Sequence, residues 1–216
     1  MKRIFFDFDG TLAETSRGII NGYRYAFDKS GLPSVPEKTL IENIGPPLKE
    51  VLMNLVPTAS EDDINRLAAL YREYYSSVGL YEMEFFDGIP EMLENISQKN
   101  VQLSVISSKP TVFIENILKK YAYGKYFSEI EGVSLEHTNK AKKERLNDLI
   151  INEDLDPTEC IVVGDRAEDM NAARHCGTDF IGVIFGYGDE TELKGSVVVK
   201  NVEELKNSLI AWIRGN

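Results

Sequence analysis

Residues 5–12 of the chain read Phe-Phe-Asp-Phe-Asp-Gly-Thr-Leu. An apolar run ends there in two carboxylates, Asp7 and Asp9, separated by Phe8 and followed by the turn residues Gly10 and Thr11. Two acids at the end of a buried strand are costly unless a cation compensates them. Two oxygen ligands beside an open turn suit Mg²⁺, a hard ion that keeps several of its waters. Asp-Gly alone is common in surface turns. The whole string at a strand end is what points to a metal-dependent site.

Such carboxylates need a rigid support. Three nearly continuous apolar runs, 3–7, 101–107 and 160–164, have the composition of strands buried on both faces of a parallel sheet. Helical patterns follow at 90–99, 111–121, 142–152 and 202–213. In 142–152, Leu146, Leu149 and Ile150 share a face; in 202–213, Val202, Leu205, Leu209 and Trp212 form a stripe expected to enter the core. This alternation predicts an α/β fold with a doubly wound parallel sheet. Residues 15–84 break the alternation, with helical patterns at 15–30, 47–56 and 61–78 and no convincing strand. We therefore expect an α/β core at 1–14 and 85–216, a helical cap inserted at 15–84, and a return hinge at 85–88.

Composition narrows the function. The 216 residues are 43% hydrophobic and 27% charged, which is ordinary for a globular protein and excludes a disordered one. Lys and Arg number 24 against 35 Asp and Glu, a net charge of −11. That charge repels nucleic acid and anionic membrane surfaces. A protein this acidic that handles an anion must build a local positive site, with a metal as the natural means. Cys160 and Cys176 cannot make a disulfide framework and suit a reducing compartment. With no targeting or membrane segment in the sequence, a cytoplasmic location is expected.

The string Asp7-Phe8-Asp9-Gly10-Thr11, with further motifs in order along the whole chain, resembles the haloacid dehalogenase-like (HAD) phosphohydrolase superfamily. In detail it resembles the phosphoglycolate phosphatase-like branch, with a helical cap after the first strand. The resemblance implies that Asp7 is the phosphoryl-accepting nucleophile and Asp9 the general acid/base, with Gly10 and Thr11 beside the phosphate. It implies that Ser107 donates its hydroxyl to phosphoryl oxygens, with Ser108 and Lys109 next to it. That branch usually has Thr-Asn-Lys where this chain has Ser-Ser-Lys, and Ser108 also fits a helix cap before Pro110.

An aspartate approaching a phosphate dianion is repelled by about 3 kcal/mol per charge pair at roughly 5 Å and an effective dielectric near 20, so a cation is required beyond Mg²⁺ alone. The resemblance gives Lys142, with Lys140 the alternative. It gives Asp165, after the buried run 160–164, as the residue completing the Mg²⁺ site with Asp7 and the backbone carbonyl of Asp9. Asp169 reads equally as a helix cap or as a support for the metal or Lys142. Gly164 permits close backbone approach. In the resembled fold the first strand lies between those bearing Ser107 and Asp165. Within the cap, Asn43 and Gly45 of the Asn-Ile-Gly-Pro-Pro-Leu turn are expected to help choose substrate.

The remaining candidates carry less. His137 and His175 lack metal-ligand spacing. Cys160 reads as core, and Tyr71, Tyr74 and Tyr75 as packing at helical spacing. Gly186-Tyr187-Gly188 reads as a turn that borders the site in related sequences, and Arg17 and Arg24 as surface charge or anion contacts. The expected function is Mg²⁺-dependent hydrolysis of a small phosphomonoester, phosphoglycolate-like, through an aspartyl phosphate. An inorganic pyrophosphatase, a phosphomutase and a catalytically silent binding module are the alternatives. The expected partner is a small phosphorylated metabolite, with no nucleic acid and no membrane, for a monomer or homodimer.

Overall fold

A computed structural model describes residues 1–135 and 140–215; His137 lies outside the described residues. The chain divides into two compact units, Met1–Ala13 with Phe85–Asn216, and Glu14–Glu84.

The first unit is built on a six-stranded sheet. Its strands are β1 (Lys2–Phe6), β4 (Val101–Pro110), β5 (Phe127–Val133), β6 (Cys160–Gly164), β7 (Asp179–Val183) and β8 (Val197–Val199). The short strands β2 (Ala13–Glu14) and β3 (Glu84–Phe85) lie where the chain passes between units. The order across the sheet is β5-β4-β1-β6-β7-β8, and every pairing is parallel. Ile4 stands beside Leu103 on one side and Ile161 on the other. Strands therefore run outward in both directions from β1, and the crevice at such a reversal is where open α/β sheets bind ligands.

The apolar runs become the three central strands because buried parallel strands need apolar side chains on both faces. β5, β7 and β8 were not expected from the sequence. β5 is an edge strand whose Glu129 and Glu131 interrupt its apolar residues, and β8 is a three-residue edge. Among the helices, α5 (Ile89–Ser97) packs on α9 (Val202–Arg214) and on β4, and α6 (Thr111–Lys120) packs on β4 and β5. Helices α7 (Lys142–Asn152) and α8 (Ala167–Cys176) pack on each other. Between them and the sheet lies a core of Phe5, Ile106, Leu146, Ile150, Cys160 and Val162. Each such apolar side chain contributes about 1.5–3 kcal/mol when fully buried. One expectation fails here: Val202, Leu205 and Leu209 are buried, but Trp212 is only half-buried. Its indole N–H donates to Asp179 Oδ2 at 2.7 Å and the Lys2 ammonium lies 4.7 Å from its ring, so its polar edge keeps it at the rim.

The second unit is helical, with α1 (Ser16–Lys29), α2 (Glu37–Glu42), α3 (Leu48–Leu55) and α4 (Glu61–Ser77). Ser60 caps α4 by accepting the Asp63 N–H, while Asp63 accepts the Ser60 N–H. Tyr23 of α1 meets Tyr71 of α4 at 4.9 Å between ring centres, and Tyr71 stacks on Tyr75 at 5.4 Å. Tyr71 and Tyr75 are buried, whereas Tyr74 is half-buried and donates its hydroxyl to Glu82. Arg17 is exposed, and Arg24 is exposed and paired with Glu37. Among the described residues no helix is long and apolar enough to cross a membrane.

Candidate active site

Two strand ends and two helix starts bring the charged residues together. Asp7 follows β1, and its N–H donates to the Val163 carbonyl of β6 at 2.9 Å. Asp165 follows β6, Asp169 sits in the first turn of α8, and Lys142 opens α7. Lys142 Nζ lies 2.6 Å from Asp169 Oδ1, 3.2 Å from Asp7 Oδ1 and 3.7 Å from Glu168 Oε2. Lys140 instead points outward to Asp148, with its side chain 63% exposed.

Asp7, Asp165 and Asp169 are all buried, and each offers a carboxylate oxygen within 4.8 Å of the others. Were all three ionised, they would exceed the one ammonium of Lys142 by two negative charges in a site shielded from water, the charge a divalent cation balances. Asp7 Oδ1 is also buried, and its cationic neighbour is Lys142, which Asp169 holds more closely. Hard oxygen donors and an excess of negative charge both fit a cation such as Mg²⁺.

The titrations carry the same strain. Burial pushes Asp7 up to about 6, against the pull of Lys142 and a hydrogen bond from the Ser107 side chain. Burial, then the Asp169 and Asp7 carboxylates, push Asp165 up to about 8. Asp169 is raised by burial and held back by Lys142. Burial alone would lower Lys142, but Asp169, Asp7 and Glu168 together raise it.

The segment 186–188 closes one side of this group. Tyr187 N–H donates to Asp165 Oδ2 at 2.7 Å, and Thr11 Oγ1 donates to Asp165 Oδ1 at 3.3 Å. A Cβ at Gly186 would stand 2.0 Å from the Gly10 carbonyl oxygen, and one at Gly188 would stand 1.7 Å from that of Asp165. Both positions must be glycine for the loop to come this close.

The family model for haloacid dehalogenase-like hydrolases matches residues 4–183. The chain belongs to that family. Three curated relatives cover most of it. It is 36% identical to a 5'-nucleotidase of Pseudomonas aeruginosa, over 88% of this chain and 86% of the relative. It is 32% identical to the tyrosine-protein kinase PtkA of Mycobacterium tuberculosis, over 95% and 72%. It is 25% identical to a phosphoglycolate phosphatase of Vibrio parahaemolyticus, over 91% and 89%. Among solved structures, that of a predicted phosphatase from Clostridium acetobutylicum superposes with a TM-score of 0.90 at 30% identity, covering 97% of this chain and 98% of that one.

Other residues singled out in this HAD-like sequence have their own partners. Asp9 keeps its carboxylate out of the three-carboxylate group and pairs with Lys109 Nζ at 2.8 Å, with Lys109 nearly fully buried. Lys109, expected beside the phosphate, is thus engaged with Asp9. Ser107 is buried, and its Oγ accepts the Lys109 N–H at 3.3 Å. Ser108 does not cap α6, whose cap position is Pro110; its hydroxyl donates to Glu168 at 3.1 Å. Asp169 accepts the Arg166 N–H through Oδ2 and the Lys142 ammonium through Oδ1. Asn43 and Gly45 belong to the second unit, where the Asn43 side-chain amide donates to the Thr39 carbonyl and Gly45 has φ of 125°. Cys160 is core and His175 is exposed.

Two site neighbours escape a reading of the sequence. Glu168 reads there as one more acid in a helix's first turn, yet it faces Ser108 and Lys142. Arg145, within the charged run Lys142-Lys143-Glu144-Arg145, is buried with Nη2 donating to the Ser107 carbonyl at 2.8 Å. Their only sequence signal is a charge at helical spacing from Asp165 and Lys142, which solvated helices share.

Proposed function

We propose that this HAD-like hydrolase is a divalent-metal-dependent phosphatase acting on a small phosphomonoester through an aspartyl phosphate on Asp7. The observation that carries the reading is Lys142 against Asp7 inside a buried group of three carboxylates, at the point where the sheet order reverses. A surface of net charge −11 offers a phosphate dianion nothing comparable in bulk, so the local cation matters.

Asp7, Asp165 and the backbone carbonyl of Asp9 would hold Mg²⁺, with Asp169 bracing the group. When bound, the ion supplies positive charge to the phosphoryl oxygens and to the carboxylates around them. An Asp7 carboxylate oxygen forms a bond to phosphorus as the bond to the leaving oxygen breaks. Asp9 enters the cycle as the carboxylic acid, gives its proton to that leaving oxygen, then takes one from the water that cleaves the aspartyl phosphate, so that Asp7 returns as the carboxylate and Asp9 as the acid. Lys142 and the Ser107 hydroxyl hold the phosphoryl oxygens while charge shifts among them. Lys109 holds Asp9 in place by donating from Nζ to Asp9 Oδ1, with the proton carried on the other oxygen.

The relatives named 5'-nucleotidase and phosphoglycolate phosphatase support a phosphomonoester as substrate, and the glycolate-like class is the one we favour. The unpaired Cys160 and Cys176 support a cytoplasmic setting, and the acidic surface supports the absence of nucleic-acid and membrane partners for a monomer or homodimer. The deciding assay is release of inorganic phosphate from phosphoglycolate, nucleoside 5'-monophosphates, sugar phosphates and pyrophosphate, with Mg²⁺ and with chelator. Metal-dependent turnover of monoesters is expected. Turnover of pyrophosphate alone, or of nothing, would overturn the reading.

A further inference from the structure

β4 loses its regular pairing just where Ser107 lies. Its ladder with β5 breaks after Ile106 opposite Glu131 and resumes at Pro110 opposite Val133, so four steps of β4 run against two of β5. Slips of this kind free strand residues from the ladder and re-aim them. Ser107, Ser108 and Lys109 occupy the slip, and their polar groups go to three different places. The Ser108 hydroxyl donates to Glu168 of α8, the Lys109 ammonium reaches Asp9 after β1, and the Ser107 carbonyl accepts from Arg145 of α7.

Arg145 is only 7% exposed, and its donors are directed at this strand end and its surroundings. Nη2 lies 2.8 Å from the Ser107 carbonyl, Nε lies 3.3 Å from the Lys140 carbonyl, and Nη1 lies 3.6 Å from the Glu131 carboxylate. It follows Lys142 by three residues, a spacing that places both on one side of α7, and both are buried. One helix therefore aims an ammonium at Asp7 and grips the backbone of Ser107. Burying a guanidinium is a poor way to gain stability, since apolar replacements often do as well.

We propose that Arg145 is a positioning residue: it fixes the backbone of Ser107 so that the hydroxyl meets Asp7, and it locks that placement to Lys142. The inference rests on the phosphatase reading of the same site. It makes Ser107 and Lys142 a single unit set by α7, although they lie on separate elements.

The test is a double-mutant cycle of Arg145→Met and Ser107→Ala, assayed on p-nitrophenyl phosphate with Mg²⁺ alongside melting temperatures. Arg145→Met should lower kcat by about 10- to 100-fold, the usual effect of misplacing a site group by about 1 Å, with KM little changed. In the Ser107→Ala background the same substitution should change kcat by less than about twofold, because the residue it positions is gone. Arg145→Lys, which keeps a charged donor, should recover part of the loss. An equal loss in both backgrounds, following the melting temperature, would show a mere brace and overturn the proposal. If Arg145→Met does not fold, Arg145→Gln enters the same cycle. A crystal structure of the Arg145 variant reads the proposal without turnover: the Ser107 hydroxyl should swing away from Asp7, and an unmoved hydroxyl refutes it. Absence of phosphatase activity in the unaltered chain would refute the function but leave this structural arm decisive for Arg145.

Discussion

The Lys142 ammonium stands 3.2 Å from Asp7 Oδ1, with both side chains no more than 5% exposed. In water such a pair would be worth little; here neither partner has solvent to fall back on. Each therefore depends on the other. Asp7→Asn should keep the fold while cutting turnover by more than about 10³-fold, as loss of a covalent nucleophile does. Phosphate release and circular dichroism on freshly prepared protein check this; substantial residual turnover in a folded variant rejects Asp7 as nucleophile.

Lys142→Met removes the cation and leaves buried carboxylates facing one another. The expected cost in the metal-free protein is about 3–5 kcal/mol, the usual result of breaking one side of a buried pair, together with near-complete loss of activity. Lys140→Met, at an exposed pair, should leave both properties as they were. Denaturant titration and a rate assay on the two variants separate them, and equal effects would return Lys140 to consideration.

Metal binding should respond to Asp165. Asp165→Ala should raise the Mg²⁺ concentration for half-maximal activity about tenfold or more, the equivalent of about 1.4 kcal/mol, with a smaller change in substrate KM. An unchanged Mg²⁺ titration would remove Asp165 from the ligand set.

The raised carboxylates also set a pH dependence. Asp165 moves from the ordinary 3.8 to about 8 and Asp7 to about 6, so the folded state holds protons that the unfolded chain has released. Their contribution to stability is full below pH about 4 and is lost as pH rises through the folded values. The metal-free protein should thus melt at least about 3 °C lower at pH 8.5 than at pH 5, the shift that about 1 kcal/mol produces in a protein of this size. Mg²⁺ competes with those protons and should raise the melting temperature more at pH 8.5 than at pH 5. Calorimetry with chelator and with Mg²⁺ checks both. A pH trend equally steep in Asp165→Asn would assign it to other groups.

Much of this was legible in the residues themselves. Asp7 and Asp9 stand out because carboxylates interrupt an apolar strand, and β1, β4 and β6 because strands buried on both faces cannot avoid apolar runs. The edges were not legible: Glu129 and Glu131 in β5 mimic a loop, since an edge strand tolerates polar residues that a central one does not. Arg145 and Glu168 were hidden for the opposite reason. A charge on a helix looks the same whether it meets solvent or a strand end, and only the packing of α7 and α8 distinguishes the two. Lys109 shows a third limit, because adjacency to Ser107 in the chain says nothing of the two-residue slip that turns it to Asp9.

The sheet order has a consequence for how the protein is made. β1 leaves the ribosome ahead of every other strand, yet it ends as a central one, with Lys2 beside Val101 and Arg3 beside Cys160. Its two flanks therefore become available at very different times. Until β6 has emerged, Phe5 and Phe6 have a neighbouring strand on one side at most, and Asp7 lacks both Asp165 and Asp169. Contacts so distant along the chain slow folding and leave sticky strand edges open in the meantime. Even after β4 is made, the nascent chain carries one open edge of β1 until β6 follows, an edge that a chaperone could shield.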